Sequence, residues 1–135
     1  MLEAYSQNVT VLTNTAIPFN STSIQKGCTA VKSDSTTIQL NKCGVYMLEV
    51  DGSATATAAG NVSIQLRKNG TLQPQAISTA TGTTTTVVPV GFTTLVQVSE
   101  NNSCRCCDSP TVLTIDNVGV GATFNQVNVV VTKIC

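Results

Sequence analysis

The chain has 135 residues, 7 basic and 7 acidic side chains, a net charge of +0, and neither His nor Trp. This size suits one domain. The scarcity of Lys and Arg argues against nucleic acid as a partner, because binding to a phosphate backbone needs many cations. Hydrophobic residues make up an ordinary 41% while only 10% are charged, which excludes a disordered chain.

The N-terminal segment carries no secretory or membrane signal. Glu3 lies where a signal peptide has basic residues, and no apolar run approaches the ~18 residues that span a bilayer. We therefore predict a chain made in a host cytoplasm without a signal peptide, and no membrane partner. A single domain is expected over 1–135, with residues 1–8 as an N-terminal arm or attachment segment.

The clearest strand lies over residues 45–57, where apolar and polar side chains alternate. Tyr46, Leu48 and Val50 share one face, while Glu49 and Asp51 lie on the other. This alternation is typical of a strand that is buried on one side.

A hairpin is predicted immediately after that strand. Residues 62–67 alternate and run into Asn69-Gly70, a pair that suits the positive φ angles of a two-residue type I′ turn. The return strand is expected over about 71–77, and Pro74 within it favours an edge position or a bulge.

Three further alternating segments lie at residues 92–98, 113–115 and 127–131, the last running on towards Ile134. Residues 79–86 are interpreted as a turn leading into a strand, and Gly119–Gly121 as a turn that connects strands. Thr and Val dominate these segments, and their β-branched side chains favour strands over helices. We predict an all-β fold, an antiparallel β-sandwich or jelly roll.

The order of these segments resembles the complement-C1q/tumour-necrosis-factor-like jelly roll. The resemblance is carried by the strand opening GVY at 44–46, the hairpin segment VSIQLRKNG at 62–70, and the closing segments TVLTIDNVG at 111–119 and VNVVVTKI at 127–134. It covers about Val9 to Ile134. The resemblance implies a compact homotrimer, and bacterial or phage versions resemble terminal knobs of surface filaments and virion fibres.

The aromatic residues are few, and three of them are expected to matter most. We predict that Tyr46, Phe92 or Phe124 contributes to the core or to the trimer contact. Because the chain has so few charges, a trimer would also bury apolar surface that leaves a monomer prone to association.

The residues offer little catalytic chemistry. Without His, the usual base for a Ser or Cys nucleophile is absent, as is the commonest metal ligand. Glu49 and Asp51 lie at a spacing near that of glycosidase carboxylates, yet the polar residues that follow them on the same face indicate a solvated strand surface. No Gly-rich loop precedes a helix. We predict neither an enzyme nor a cofactor.

The six cysteines leave three interpretations open. They are Cys28, Cys43, Cys104, Cys106, Cys107 and Cys135. Disulfides are one interpretation, although they are rare in a chain that folds in a reducing cytoplasm. Free thiols that fill small gaps are another. A metal site is the third, with Cys104, Cys106 and Cys107 as its weak candidates, because C-x-C-C lacks the usual C-x₂-C spacing.

We predict a structural protein of a bacteriophage virion, a homotrimeric capsid decoration, head-fibre or fibre-knob protein exposed on the particle surface. Its partners would be its own copies and the larger assembly. The alternatives are an adhesin tip that binds a host-surface glycan or protein, and a knob on a bacterial spore or cell-surface filament.

Overall fold

The computed structural model describes residues 1–98 and 111–134, and all of its regular structure there is β-strand. The strands in chain order are β1 (Leu2–Val11), β2 (Thr15–Ala16), β3 (Ser21–Gln25), β4 (Ala30–Lys32), β5 (Ile38–Leu40), β6 (Gly44–Ala56), β7 (Gly60–Lys68), β8 (Thr71–Gly82), β9 (Val87–Val98), β10 (Thr111–Asn117) and β11 (Ala122–Lys133).

Two antiparallel sheets form a sandwich. One has five strands in the order β3-β1-β11-β6-β9, and the other has the order β4-β5-β10-β7-β8, with β2 pairing to β10. Consecutive strands repeatedly cross from one sheet to the other, as from β6 to β7 and from β10 to β11. This crossing is the arrangement of a jelly roll, so the predicted fold class is confirmed.

The core lies between the sheets and follows the predicted alternation. Tyr46, Leu48 and Val50 on β6 are at most 1% exposed, whereas their neighbours Glu49 and Asp51 are exposed. The inward residues of β7, β10 and β11 are buried in the same way. One cluster of buried apolar side chains therefore connects both sheets.

The predicted hairpin is present. Asn69 and Gly70 have φ angles of 50° and 84° and join β7 to β8, as a type I′ turn requires. Strand β8 lies at the edge of its sheet, and Pro74 falls where the β7–β8 register shifts, between the pairs Gln65–Ile77 and Arg67–Leu72, so both expected settings for this proline are present. It is longer than expected and continues to Gly82, so the turn within 79–86 starts later than predicted, and β9 begins at Val87.

The N-terminal arm expected over residues 1–8 is not seen as a separate arm. Instead Leu2–Val11 form β1, which lies between β3 and β11. Leu2 and Ala4 are fully buried. Ser6 occupies the next inward position, where its hydroxyl donates to the Pro18 carbonyl at 2.7 Å and accepts from the Asn20 N–H at 2.7 Å. The polar Ser6 hid this strand from the hydrophobic pattern.

Candidate interaction surface

The outer face of the five-stranded sheet presents an oblique apolar stripe. Register places Tyr5 opposite Asn128, Val130 opposite Glu49, and Met47 opposite Leu95. Each apolar residue is thus a direct or diagonal cross-strand neighbour of the next, within reach of long side chains. We call Tyr5, Val130, Met47 and Leu95 the outer stripe; it crosses β1, β11, β6 and β9.

Exposure of the outer stripe is uneven. Leu95 is 58% and Tyr5 37% exposed, while Met47 and Val130 are half-buried. Strands are expected to present polar residues on a face that meets water. An apolar stripe across four strands of such a face indicates a contact surface for another molecule.

A shallow hollow lies beside the stripe. It has a volume of about 450 Å³, and Glu49, Asp51, Ser78, Gly91 and Thr93 are among the residues that line it. Its shape depends on Gly91, because a Cβ there would lie 2.6 Å from the Val50 carbonyl oxygen. The Gly91 N–H donates to the Ser78 hydroxyl at 3.1 Å, which joins the edges of the two sheets.

Glu49 and Asp51 lie together at this hollow, as their spacing predicted, and both are exposed. Glycosidase carboxylates lie on either side of a bound glycosidic bond, whereas these two side chains project from an open sheet face. The arrangement therefore fits a solvated, negatively charged surface better than a glycosidase site.

The three aromatic residues singled out in the sequence occupy different places. Tyr46 and Phe124 are fully buried in the core of the single chain. Phe92 is half-buried and packs against the core from β9. The Tyr46 hydroxyl donates to the Lys42 carbonyl at 2.6 Å, and burial raises the pKa of Tyr46. Of the three, only Phe92 has a side chain that could reach a partner.

The residues of the outer stripe were not among the contact residues predicted from the sequence. A signal for them was present, because Met47 and Leu95 are out of phase with the buried residues of their strands. An apolar residue at a position predicted to face water would have pointed to a contact.

Two cysteines lie within the described residues. Cys28 has an exposed, free thiol, and Cys43 is disulfide-bonded. The predictions for Cys104, Cys106, Cys107 and Cys135 fall outside the residues that the structure describes. Within 1–98 and 111–134, no three His, Cys, Asp or Glu side chains come together as a group that could hold a metal ion.

Comparison with known proteins identifies the fold. No family model matches the chain, and no curated protein is similar to it in sequence. Among solved structures, it is similar to the globular domain of zebrafish complement 1qA protein, with a TM-score of 0.71 and 8% identity over 99% of this chain and 96% of the other. The chain has the complement-C1q/tumour-necrosis-factor jelly-roll fold. The predicted resemblance is therefore confirmed at the level of the fold.

Two further structures share this jelly roll. Eiger TNF from S. frugiperda matches with a TM-score of 0.70 and 9% identity, over 99% of this chain and 92% of the other. PRD1 vertex protein P5 matches with a TM-score of 0.64 and 16% identity, over 99% and 96%. The chain thus covers nearly the whole of each jelly roll.

Residues 1–98 and 111–134 form no helix that could cross a membrane.

Proposed function

We propose that the protein is a non-enzymatic structural component of a bacteriophage virion, a homotrimeric capsid decoration, head-fibre or fibre-knob protein exposed on the particle surface. The outer stripe carries this proposal. It provides an apolar surface on a jelly roll whose hollow beside Gly91 is open and polar, an arrangement that suits assembly better than catalysis.

Each copy would contribute its five-stranded sheet to the threefold contact. Symmetry makes the contact the same for every subunit of a closed cyclic assembly, and the outer stripe is one continuous patch that runs from β1 to the edge strand β9. Burying the outer stripe would remove exposed Leu95 and Tyr5 from water. This would stabilise the trimer by roughly 25 cal/mol for each Å² of apolar surface buried. The PRD1 vertex protein P5, which shares the fold, supports the placement on a virion.

Native mass in solution tests the trimer. Light scattering after size exclusion should give about 42 kDa, the mass of three 14.0 kDa chains. Leu95→Glu should give a folded chain of lower mass, because a charge would be buried without a partner in the contact. Ile77→Glu is the matched control, since Ile77 is 45% exposed on β8 of the other sheet.

The two variants separate the outcomes. If Ile77→Glu keeps the trimer mass while Leu95→Glu loses it, the outer stripe is the contact. A wild-type chain of 14 kDa would contradict the proposal, and so would a trimer that Leu95→Glu leaves intact. Binding of the purified trimer to virus particles stripped of it would then test the virion location, whereas adsorption to host cells alone would favour the adhesin alternative.

A further inference from the structure

The sandwich has two ends that differ in charge. At one end of the five-stranded sheet, register places Ala122 between Val11 and Ala56, and Val87 beside Thr55. The turns attached to these strand ends therefore lie close together. We call this the neutral end; it comprises the segments 12–14, 57–59, 83–86 and 118–121. None of these segments contains a charged residue.

The opposite end carries most of the cations. There, Lys133 pairs with Tyr46, Gly44 with Val98, and Lys68 with Thr71. The Lys26 N–H donates to the Met1 carbonyl at 2.9 Å, which brings the N-terminus to the same place. Four of the 7 basic side chains therefore lie at this basic end: Lys26, Lys42, Lys68 and Lys133.

Three of these lysines, Lys26, Lys42 and Lys133, are exposed. Lys68 is half-buried, and its ammonium donates to the neutral Gln97 carbonyl at 2.6 Å. Of the described acidic side chains, Glu49 and Asp51 lie further along the outer face of the five-stranded sheet, while Glu3 lies near the basic end and accepts a hydrogen bond from the Ser23 hydroxyl. Arg67, one position further into β7, is already paired with Asp116.

Apolar side chains are interspersed with the lysines. Met1 is 44%, Leu72 36% and Ile134 49% exposed. Leu72 follows the Asn69-Gly70 turn, and the Ile134 N–H donates to the Val45 carbonyl at 2.8 Å, so both lie at the basic end. A surface that mixes cations with apolar side chains matches another protein surface, which can supply both carboxylates and apolar groups.

We propose that the basic end docks onto an acidic, partly apolar protein surface of the assembly that carries the knob. This inference rests on the proposed function and names the end and the chemistry of the contact. An anionic polysaccharide would satisfy the lysines but leave Met1, Leu72 and Ile134 in water. Because the interacting charges are exposed, the contact should weaken as salt is added.

Immobilised polymers of defined chemistry test the proposal on the full chain. A random copolymer of Glu and Tyr provides carboxylates with apolar groups, polyglutamate provides carboxylates alone, and heparin is an anionic polysaccharide. The protein should bind the copolymer several-fold more tightly than the other two. Equal or tighter binding to heparin would overturn the inference and point to a polysaccharide.

A pair of triple variants tests the place of the contact. Lys26→Gln, Lys42→Gln and Lys133→Gln together should weaken copolymer binding by about ten-fold or more, because three exposed ion pairs are lost and each contributes roughly a factor of two to five. Thr13→Glu, Ala58→Glu and Thr84→Glu change the net charge equally at the neutral end, and should change binding less than two-fold. Equal losses in both variants would show an effect of net charge only and overturn the inference.

Native mass on the same samples separates this inference from the proposed function. A trimer that does not bind the copolymer contradicts the basic-end contact and leaves the trimer intact. A monomer that binds it contradicts the proposed homotrimer and retains the contact.

Discussion

The side-chain amide of Asn117 donates a hydrogen bond of 3.0 Å to the carbonyl of Val11, although the two residues are 106 positions apart. The same amide donates to the Val120 carbonyl at 2.9 Å, and its oxygen accepts the Gly119 N–H at 3.1 Å. Asn117 is fully buried. One side chain therefore ties the end of β1 to the turn between β10 and β11.

Asn117→Ala should be among the more destabilising changes in the chain. It removes three hydrogen bonds and leaves buried backbone groups without partners, at a cost of about 2–4 kcal/mol in the free energy of unfolding. Urea unfolding should show a lower midpoint at an unchanged slope. Asn125→Ala is the control, since Asn125 is half-buried with a single 3.4 Å bond to Thr55. Similar losses in both variants would contradict the linking role of Asn117.

Gly119→Ala tests how closely the turn between β10 and β11 packs against the backbone of β7. A Cβ at Gly119 would overlap the Asn61 carbonyl oxygen and lie 2.7 Å from the Ser63 nitrogen. Because both are backbone atoms of β7, relief requires the turn to shift, and we expect a loss of about 2 kcal/mol or more. At Gly27, where the added Cβ meets nothing within 4 Å, Ala should cost only about 1 kcal/mol for its positive φ. In thermal unfolding, Gly119→Ala should therefore lower the melting temperature more than Gly27→Ala does.

Removing either partner of the Arg67–Asp116 ion pair should have unequal effects. The Arg67 Nε lies 2.8 Å from the Asp116 Oδ2, and the two side chains are 35% and 7% exposed. Arg67→Ala leaves the buried Asp116 carboxylate with the Thr114 hydroxyl as its remaining partner. This should lower the free energy of unfolding by about 1–3 kcal/mol. Asp116→Ala leaves the Arg67 guanidinium, which water can solvate, and should lower the free energy of unfolding by about 1 kcal/mol or less. Chemical denaturation should find Arg67→Ala the less stable variant; the reverse order would contradict the argument.

Alkaline pH should unfold the protein partly through Tyr46. Burial raises the pKa of Tyr46 above its ordinary value of 10.0, so the phenol ionises more readily in the unfolded chain. Its contribution to stability is therefore present below pH 10 and is lost as the pH rises through the folded pKa.

Tyr46→Phe separates this effect from the rest of the alkaline transition. It should cost about 1 kcal/mol at neutral pH, from the lost bond to the Lys42 carbonyl, yet flatten the loss of melting temperature above pH 10. An unchanged profile in Tyr46→Phe would assign the alkaline loss to other groups.

Much of the fold could be predicted because period-2 alternation is strong where one face of a strand is apolar and the other polar. Strand β6 and the Asn69-Gly70 turn follow directly from that pattern. The first part of strand β1 could not be predicted in this way, since its inward Ser6 is buried through hydrogen bonds to residues 18 and 20. Such partners are brought together only by the fold.

The candidate surface was harder to predict than the fold. Met47, Leu95, Val130 and Tyr5 belong to four strands, and their adjacency depends on register that alternation alone does not determine. The grouping of the lysines at one end also depends on how the strands are arranged in the sheets. Lys26 and Lys133 are far apart in sequence, and the sheet order of β3, β1 and β11 places them at a common end.

The separation of charge along the strands affects how the molecule approaches a partner. In the part of the chain that the structure describes, lysines gather at one end while Glu49 and Asp51 lie on the side of the sandwich, so these residues give a protein of net charge +0 a dipole contribution along its strands. A neutral protein with a dipole is not drawn strongly to a charged body from afar, but it is turned as it comes near. Low salt should therefore accelerate correctly oriented encounters with an acidic surface more than it increases the total number of collisions.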